Sequence, residues 1–204
     1  MATIEGAIKV VNPYVKQWEG NPKYNADRNM IAFDDGYGTP TIGWGNTYYP
    51  DGSRVQFGDV ITSQRGQELF DWEIGETANE IAGFFDISTI NDNQFAALIS
   101  FAYTAGVTGL KESRLLAAIK NGTSGDALKA VWITSYITSK GKYSRGLVNR
   151  RKDEFTLWNN TYSPAYSYYL RNEEAINKSG LIIGGIATIA LSVYIYFLTK
   201  KKKG

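Results

Sequence analysis

Apolar residues recur at a helical period through residues 3–18, at Ile4, Ile8, Val11, Val15 and Trp18, which gives one greasy helix face. Pro13 lies inside that run. It predicts a helix restarting near Asn12, with the proline in its first turn, in place of one long helix. The pattern stops at Glu19-Gly20, where the glycine is a natural C-terminal cap. Residues 21–33 are polar and read as loop, with a short strand at 30–33. From Thr41 the period becomes two: Thr41, Gly43 and Gly45 on one face, Ile42, Trp44 and Asn46 on the other. This strand, 41–48, is expected to pair with residues 53–57 across Pro50-Asp51-Gly52. Its glycines would leave a floor without side chains, suited to a bulky ligand lying against backbone.

Helical periodicity then returns. Thr62 is placed to cap a helix running to about Gly83, with Leu69, Phe70, Ile74, Ala78 and Ile81 on one face. Asn91 and Gln94 make a start resembling a capping box for a helix with Phe95, Leu98, Ile99 and Ala102 at core spacing. Shorter patterns follow at 113–120, 124–132 and 147–158. In the last, Arg150 and Glu154 stand at i, i+4 and read as a helix-surface ion pair. The fold class is α+β, mostly helical, with a small β-hairpin part.

The end of the chain differs in kind. Residues 159–178 are rich in Tyr and Asn with one proline and read as a linker. Residues 179–199 carry no charge; as a helix these residues would span roughly 30 Å, the thickness of a bilayer core. Tyr194 and Tyr196 suit an interfacial belt, and Lys200–Lys203 form a cytoplasm-type basic flank. Gly180-x-x-x-Gly184 offers a helix-packing face. Met1–Gly6 has neither a basic region nor an apolar run, so no N-terminal signal is expected. The predicted organisation is a globular domain at 1–158, a linker at 159–178, a transmembrane helix at 179–199 and a basic tail at 200–204. The chain would be a single-pass membrane protein, with the globular domain on the side away from the lysines.

Composition narrows the chemistry. Of the formal net charge of +2, the four terminal lysines supply more than all, leaving residues 1–178 at about −2. A nucleic-acid binder would show a basic domain, and this chain does not. With no histidine and no cysteine, thiol nucleophiles, Ser-His-Asp chemistry, disulfides and the usual zinc sites are excluded. Catalysis by carboxylates needs none of these, nor any metal or other cofactor. Glu19, at the end of a helix, faces the negative pole of the helix dipole, a placement that suits a proton donor. A solvated surface glutamate is the plainer reading of that residue alone.

The spacing of Glu19-Gly20, then Ala32-Phe33-x-Asp35-x-x-Gly38-x-x-Thr41-Ile42-Gly43-Trp44-Gly45, resembles the active-site signature of phage-type lysozymes. The likeness continues through Asn93-Gln94-Phe95-x-Ala97-Leu98-x-Ser100-Phe101-x-Tyr103-x-x-Gly106, Ser113-x-Leu115-Leu116 and Gly146-Leu147-x-x-Arg150-Arg151-x-x-Glu154. It covers roughly residues 10–158. It implies a fold of a β-hairpin lobe and a larger helical lobe joined by the long helix from Thr62, and catalytic roles for Glu19, Asp35 and Thr41. Tyr103 and Ser113 match cleft-lining, substrate-binding positions; a core aromatic and a helix N-cap are equally open readings of them. The chain departs from the family in two places. Asn46 stands where many relatives carry histidine, which removes a structural polar partner, and the gap from Glu19 to Asp35 is longer than usual.

By that resemblance the expected reaction is hydrolysis of the β-1,4 bond between N-acetylmuramic acid and N-acetylglucosamine in peptidoglycan. Glu19 would protonate the leaving oxygen while Asp35, with the Thr41 hydroxyl, activates a water on the opposite face. Such single-displacement, inverting chemistry needs carboxyls roughly 6.5–9.5 Å apart. Asp34 fails as a rival to Asp35 on spacing from Thr41 and is expected to be an exposed neighbour. Expected partners are the bacterial wall, a lipid membrane through residues 179–199, and other membrane or capsid proteins of a virion. A phage with an internal membrane, whose particle opens the wall during infection, is favoured over a lysis enzyme tethered in the host membrane. Two other readings remain: a silent wall-binding or virion structural protein on the same fold, and a lytic transglycosylase working with one glutamate.

Overall fold

The computed structural model describes residues 1–178, and the chain divides into two compact units, Met1–Asp92 and Asn93–Gly204. The first unit opens with α1 (Ile4–Glu19), whose N-cap Thr3 accepts the Gly6 N–H at 2.9 Å. The break expected at Asn12–Pro13 does not occur; α1 is one helix with Pro13 inside it. A proline in a helix interior costs about 3 kcal/mol. Ala7, Val11, Tyr14 and Val15, spread on both sides of it, are all buried, and each large apolar side chain so buried contributes about 1.5–3 kcal/mol. Keeping the stripe continuous outweighs the lost hydrogen bond.

Four short strands follow: β1 (Met30–Ile31), β2 (Phe33–Asp34), β3 (Pro40–Thr41) and β4 (Val60–Ile61). β1 pairs antiparallel with β4, and β2 with β3. The long strand expected at 41–48 is absent. Thr41 ends β3, and Ile42 and Asn46 then exchange backbone hydrogen bonds of 2.9 and 3.1 Å across a tight turn. Gly43 and Gly45 sit at φ 62° and 110° in that turn, a region open to glycine at no steric cost. They reverse the chain, and there is no bare floor of alternating glycines. The second half of the expected hairpin does form, with Tyr48 bridged to Arg54 and the Val55 N–H donated to Thr47 O at 3.0 Å.

α2 (Ser63–Ala82) begins at the cap Thr62, which accepts the Arg65 N–H at 3.0 Å. Its expected inner face, Leu69, Phe70, Ile74, Ala78 and Ile81, is buried, and it packs on α1. Leu69 joins Met30, Ile42 and Val55 in a small core, flanked by Ala32, Trp44, Tyr49 and Ile61. Gly66 makes that core possible: a Cβ there would lie 2.2 Å from the Met30 sulfur.

The second unit is helical: α3 (Asp92–Ala105), which starts at the boundary, then α4 (Val107–Lys111), α5 (Arg114–Lys120), α6 (Gly125–Thr134), α7 (Arg145–Trp158) and α8 (Pro164–Lys178), with a two-strand ribbon, β5 (Thr138–Ser139) and β6 (Lys142–Tyr143), before α7. Trp132 lies at its centre, with ring centroids 6.4 Å from Phe101, 6.0 Å from Phe155 and 5.2 Å from Trp158. Residues 159–178, read from sequence as linker, contain α8, which packs on α7 and takes the Asn149 side-chain N–H on Leu170 O at 2.9 Å. The pair expected on the surface of α7 is buried, with partners on α3 and α6: Arg150 is 5%, Arg151 0% and Glu154 0% exposed. Glu154 accepts from Arg151 at 2.7 Å, Ser100 at 2.8 Å and the Trp132 indole at 3.2 Å, with Arg150 Nε at 3.5 Å. Among the described residues no helix is long and apolar enough to cross a membrane; the segment expected to do so, 179–199, lies outside them.

Burial decides which ion pairs matter for stability. Glu154→Ala removes the carboxylate that faces two buried guanidinium groups and is expected to lower the free energy of unfolding by about 3–5 kcal/mol. Arg65→Ala removes the exposed pair to Glu68 at 3.2 Å and should cost no more than about 1 kcal/mol. Urea unfolding of the two variants checks the contrast.

Candidate active site

Asp35 and Thr41 are placed by one hairpin. The β2–β3 register sets Phe33 opposite Thr41 and Asp34 opposite Pro40, so residues 35–39 form the connecting loop. Two adjacent carboxylates hold it. Asp34 Oδ1 accepts the N–H groups of Gly36 and Gly38, both at 2.7 Å, and Asp35 Oδ1 accepts those of Tyr37 at 2.8 Å and Thr39 at 3.2 Å. The two sets interleave because the glycines take φ of 87° and 83°, which aims alternate amides at neighbouring acids. Thr39 O in turn accepts the Asp35 N–H at 3.2 Å and the Thr41 hydroxyl at 3.2 Å. Both candidate residues are thus tied to the main chain of Thr39. Asp34 is exposed, as expected, but it is also the loop's clamp. The N–H groups of Gly38 and Gly36 hold its carboxyl below the usual carboxylate range. The Asp-Asp-Gly-x-Gly run carried that signal, since carboxylates at loop starts bind amides two and four residues on.

Glu19 is the last residue of α1, half-buried, ahead of Gly20 at φ 78°. One turn earlier, Lys16 lies with Nζ 4.0 Å from the Trp44 ring centroid and 4.9 Å from that of Phe70, and donates to Gln67 on α2. Burial lowers the Lys16 pKa, and the nearby Asp71 carboxylate opposes that. Trp44 and Phe70 rings stand 5.5 Å apart. The C-terminal turn of α1 is therefore fastened to the Gly43–Gly45 turn, three residues after Thr41, and to α2. No sequence pattern marks Lys16 for this role.

Asn46 does not leave the place of a polar partner vacant. It is 2% exposed, and its side-chain N–H donates to Glu73 on α2 while its Oδ1 has no hydrogen-bond partner. Asn46 supplies the structural partner whose loss was expected, and Glu73, absent from the sequence reading, receives it. Tyr103 and Ser113 belong to the second unit. Tyr103 is half-buried on α3. Ser113 caps α5: its Oγ accepts the Leu116 N–H at 2.9 Å and donates to Leu110 O at 2.7 Å.

The sequence model of the phage lysozyme family matches residues 16–154. The chain is 34% identical over 119 residues to an endolysin of Bacillus phage PZA, covering 58% of this chain and 43% of that protein. It spans less than half the length of the two Bacillus phage endolysins it matches. It is 29% identical over 138 residues to an endolysin of Salmonella phage P22, covering 67% of this chain and 90% of that one. Among solved structures, an endolysin from Escherichia coli O157:H7 phage FAHEc1 is similar in fold with a TM-score of 0.60, at 24% identity over 78% of this chain and 94% of that chain.

The loop clamp has a defined pH response. A carboxyl held low in the folded state stabilises the fold above its unfolded pKa, near 3.9, and that stability is lost as pH falls through the folded value. The Gly36 and Gly38 amide resonances should therefore titrate with a midpoint below the ordinary carboxylate range. Asp34→Ala should abolish that titration and speed hydrogen exchange at both amides, as read by NMR.

Proposed function

This chain belongs to the phage lysozyme family, and we propose that it hydrolyses the β-1,4 bond between N-acetylmuramic acid and N-acetylglucosamine in bacterial peptidoglycan. The observation that carries the reading is the tie of Asp35 and Thr41 to the same residue, Thr39, on a loop held by its own hydrogen bonds before substrate arrives. Preorganised groups contribute most to catalysis because they need no rearrangement as charge develops. Glu19 donates a proton to the leaving glycosidic oxygen. Asp35 Oδ1 is committed to two amides, so Oδ2 takes the proton of the attacking water, which the Thr41 hydroxyl helps orient. The displacement is single and inverts the anomeric carbon. Tyr103 contacts the glycan, while the Ser113 hydroxyl is spent on capping α5.

The polar, interlocked loop favours catalysis over a silent wall-binding role, since an inert surface has no need of a carboxylate aligned with a hydroxyl. Residues 1–158 form the catalytic part. Residues 179–199 anchor the chain in a lipid membrane, with the catalytic part opposite the lysines, as the uncharged run and its basic flank support. The setting is a virion with an internal membrane, where other membrane or capsid proteins are its neighbours.

Glu19→Gln and Asp35→Asn should each reduce clearing of cell-wall suspensions by at least about 100-fold, the low end for a lost general acid or base, while urea midpoints stay near that of the native chain. Lysis retained by either variant overturns the assignment. Release of the full chain from membranes by alkaline carbonate would overturn the anchor.

A further inference from the structure

One face of α2 takes no part in the reaction above. Glu73, Glu76, Thr77 and Glu80 recur at helical steps and, with Trp72 and Tyr48, surround a cleft of about 340 Å³ in the first unit. Glu19, Asp35 and Thr41 do not line it. Its two aromatic walls are open to solvent, Tyr48 by 42% and Trp72 by 37%.

Three observations point to what it holds. Glu76 and Glu80 have no hydrogen bond or ion pair among the described residues, so their charge is not neutralised within the unit. Among the described residues no lysine or arginine lines the cleft, and the Arg54 guanidinium is stacked on Tyr48 with Cζ 4.8 Å from the ring centroid. Thr77, only 9% exposed, lines the cleft, and its hydroxyl makes no hydrogen bond among the described residues. The residue is nine-tenths buried, yet its oxygen is not among the fully buried unpartnered polar atoms, so the hydroxyl is open at the cleft it lines and is not spent on the protein.

The chemistry of the walls selects the ligand. An anion meets three carboxylates. A metal ion needs donors that converge, and among the described residues no three acidic groups do so. A primary ammonium on a hydrocarbon stem uses everything present: the stem and charge on the Trp72 face, two N–H donors for Glu76 and Glu80, a third for the Thr77 hydroxyl. We propose that this cleft is a subsite for such an alkylammonium group, and that in the wall the group is the free side-chain amine of a diamino acid in the peptide borne by the glycan. The second half rests on the muramidase reading. The subsite would let the enzyme hold a strand by its peptide while the glycan is cut.

The test titrates the full chain, in detergent, with cadaverine and with its neutral counterpart 1,5-pentanediol. The readout is the five tryptophan indole resonances, that of Trp72 being the one lost in Trp72→Phe. Cadaverine should move the Trp72 resonance and pentanediol should not. The double variant Glu76→Gln/Glu80→Gln should bind cadaverine at least about tenfold more weakly, the scale of a charge–charge contact near water. No shift, an equal shift with the diol, or unchanged affinity in the double variant overturns the site. A muropeptide with its diamino acid intact should move the same resonance, and the same muropeptide with that amine acetylated should not; equal effects overturn the wall peptide as the source. A chain that binds cadaverine but cleaves no wall glycan would sink the muramidase reading and leave the ammonium site standing.

Discussion

The amide groups of one five-residue loop set the character of the first unit. A loop of two glycines and exposed polar residues gives up much conformational entropy when it is fixed, and its main-chain donors have no sheet partner. Asp34 and Asp35 answer both demands by accepting alternate amides. The loop becomes a rigid object of the two acids' making. Asp35 cannot be repositioned without releasing Tyr37 and Thr39, and Thr41 is fastened to the carbonyl of the same Thr39. Alignment of acid and hydroxyl thus comes from local hydrogen bonds, in a β region whose strands are only two residues long.

Glu19 comes from a separate element and is held by different physics. α1 reaches it only because the buried stripe carries the helix past Pro13, and Lys16 then fixes the last turn over the Trp44 and Phe70 rings. A partly desolvated lysine is a poor anchor unless aromatic faces and a polar acceptor replace its water. Gln67 and the two rings do so. The acid's position is thereby coupled to the Gly43–Gly45 turn that follows Thr41, within one unit.

Much of this was legible in the sequence where a single period governs a long stretch. The inner faces of α2 and α3 follow from spacing alone, because core packing enforces the 3.6-residue repeat; on α1 only Val11 and Val15 of the expected stripe are buried, joined by Ala7 and Tyr14. What escaped has identifiable causes. Thr41-Ile42-Gly43-Trp44-Gly45-Asn46 satisfies a period of two as well as it satisfies a strand ending in a turn, and only the positive φ of the two glycines separates the cases. α8 hid behind its tyrosines and asparagines, although Ser163-Pro164 is a helix-start signal and Ser163 O does accept the Ser167 N–H at 3.0 Å. The burial of Arg150, Arg151 and Glu154 could not follow either, since a charged residue's exposure depends on what faces it, and here that is Ser100 and Thr104 on α3 and Trp132 on α6. At the site, Glu19, Asp35 and Thr41 came from motif spacing. Asp34 was marked by the Asp-Asp-Gly-x-Gly run, whereas Lys16 and Glu73 act through contacts that no spacing encodes.

Glu73 shows how closely these roles are packed on α2. Its carboxylate accepts the amide of Asn46, which closes the turn carrying Trp44, and the same side chain borders the cleft of Glu76, Thr77 and Glu80. The Asn46–Glu73 bond is a part-buried polar contact in which the buried Asn46 Oδ1 is left without a partner, so it is a costly way to fill space. An apolar pair would pack the same volume more cheaply. What the polar pair adds is direction: an amide that must reach a carboxylate fixes the rotation of α2 against the Trp44 turn, which greasy contacts would allow to slide. That fixed rotation keeps Gln67, six residues up the helix, under Lys16, and with it the end of α1 where Glu19 stands.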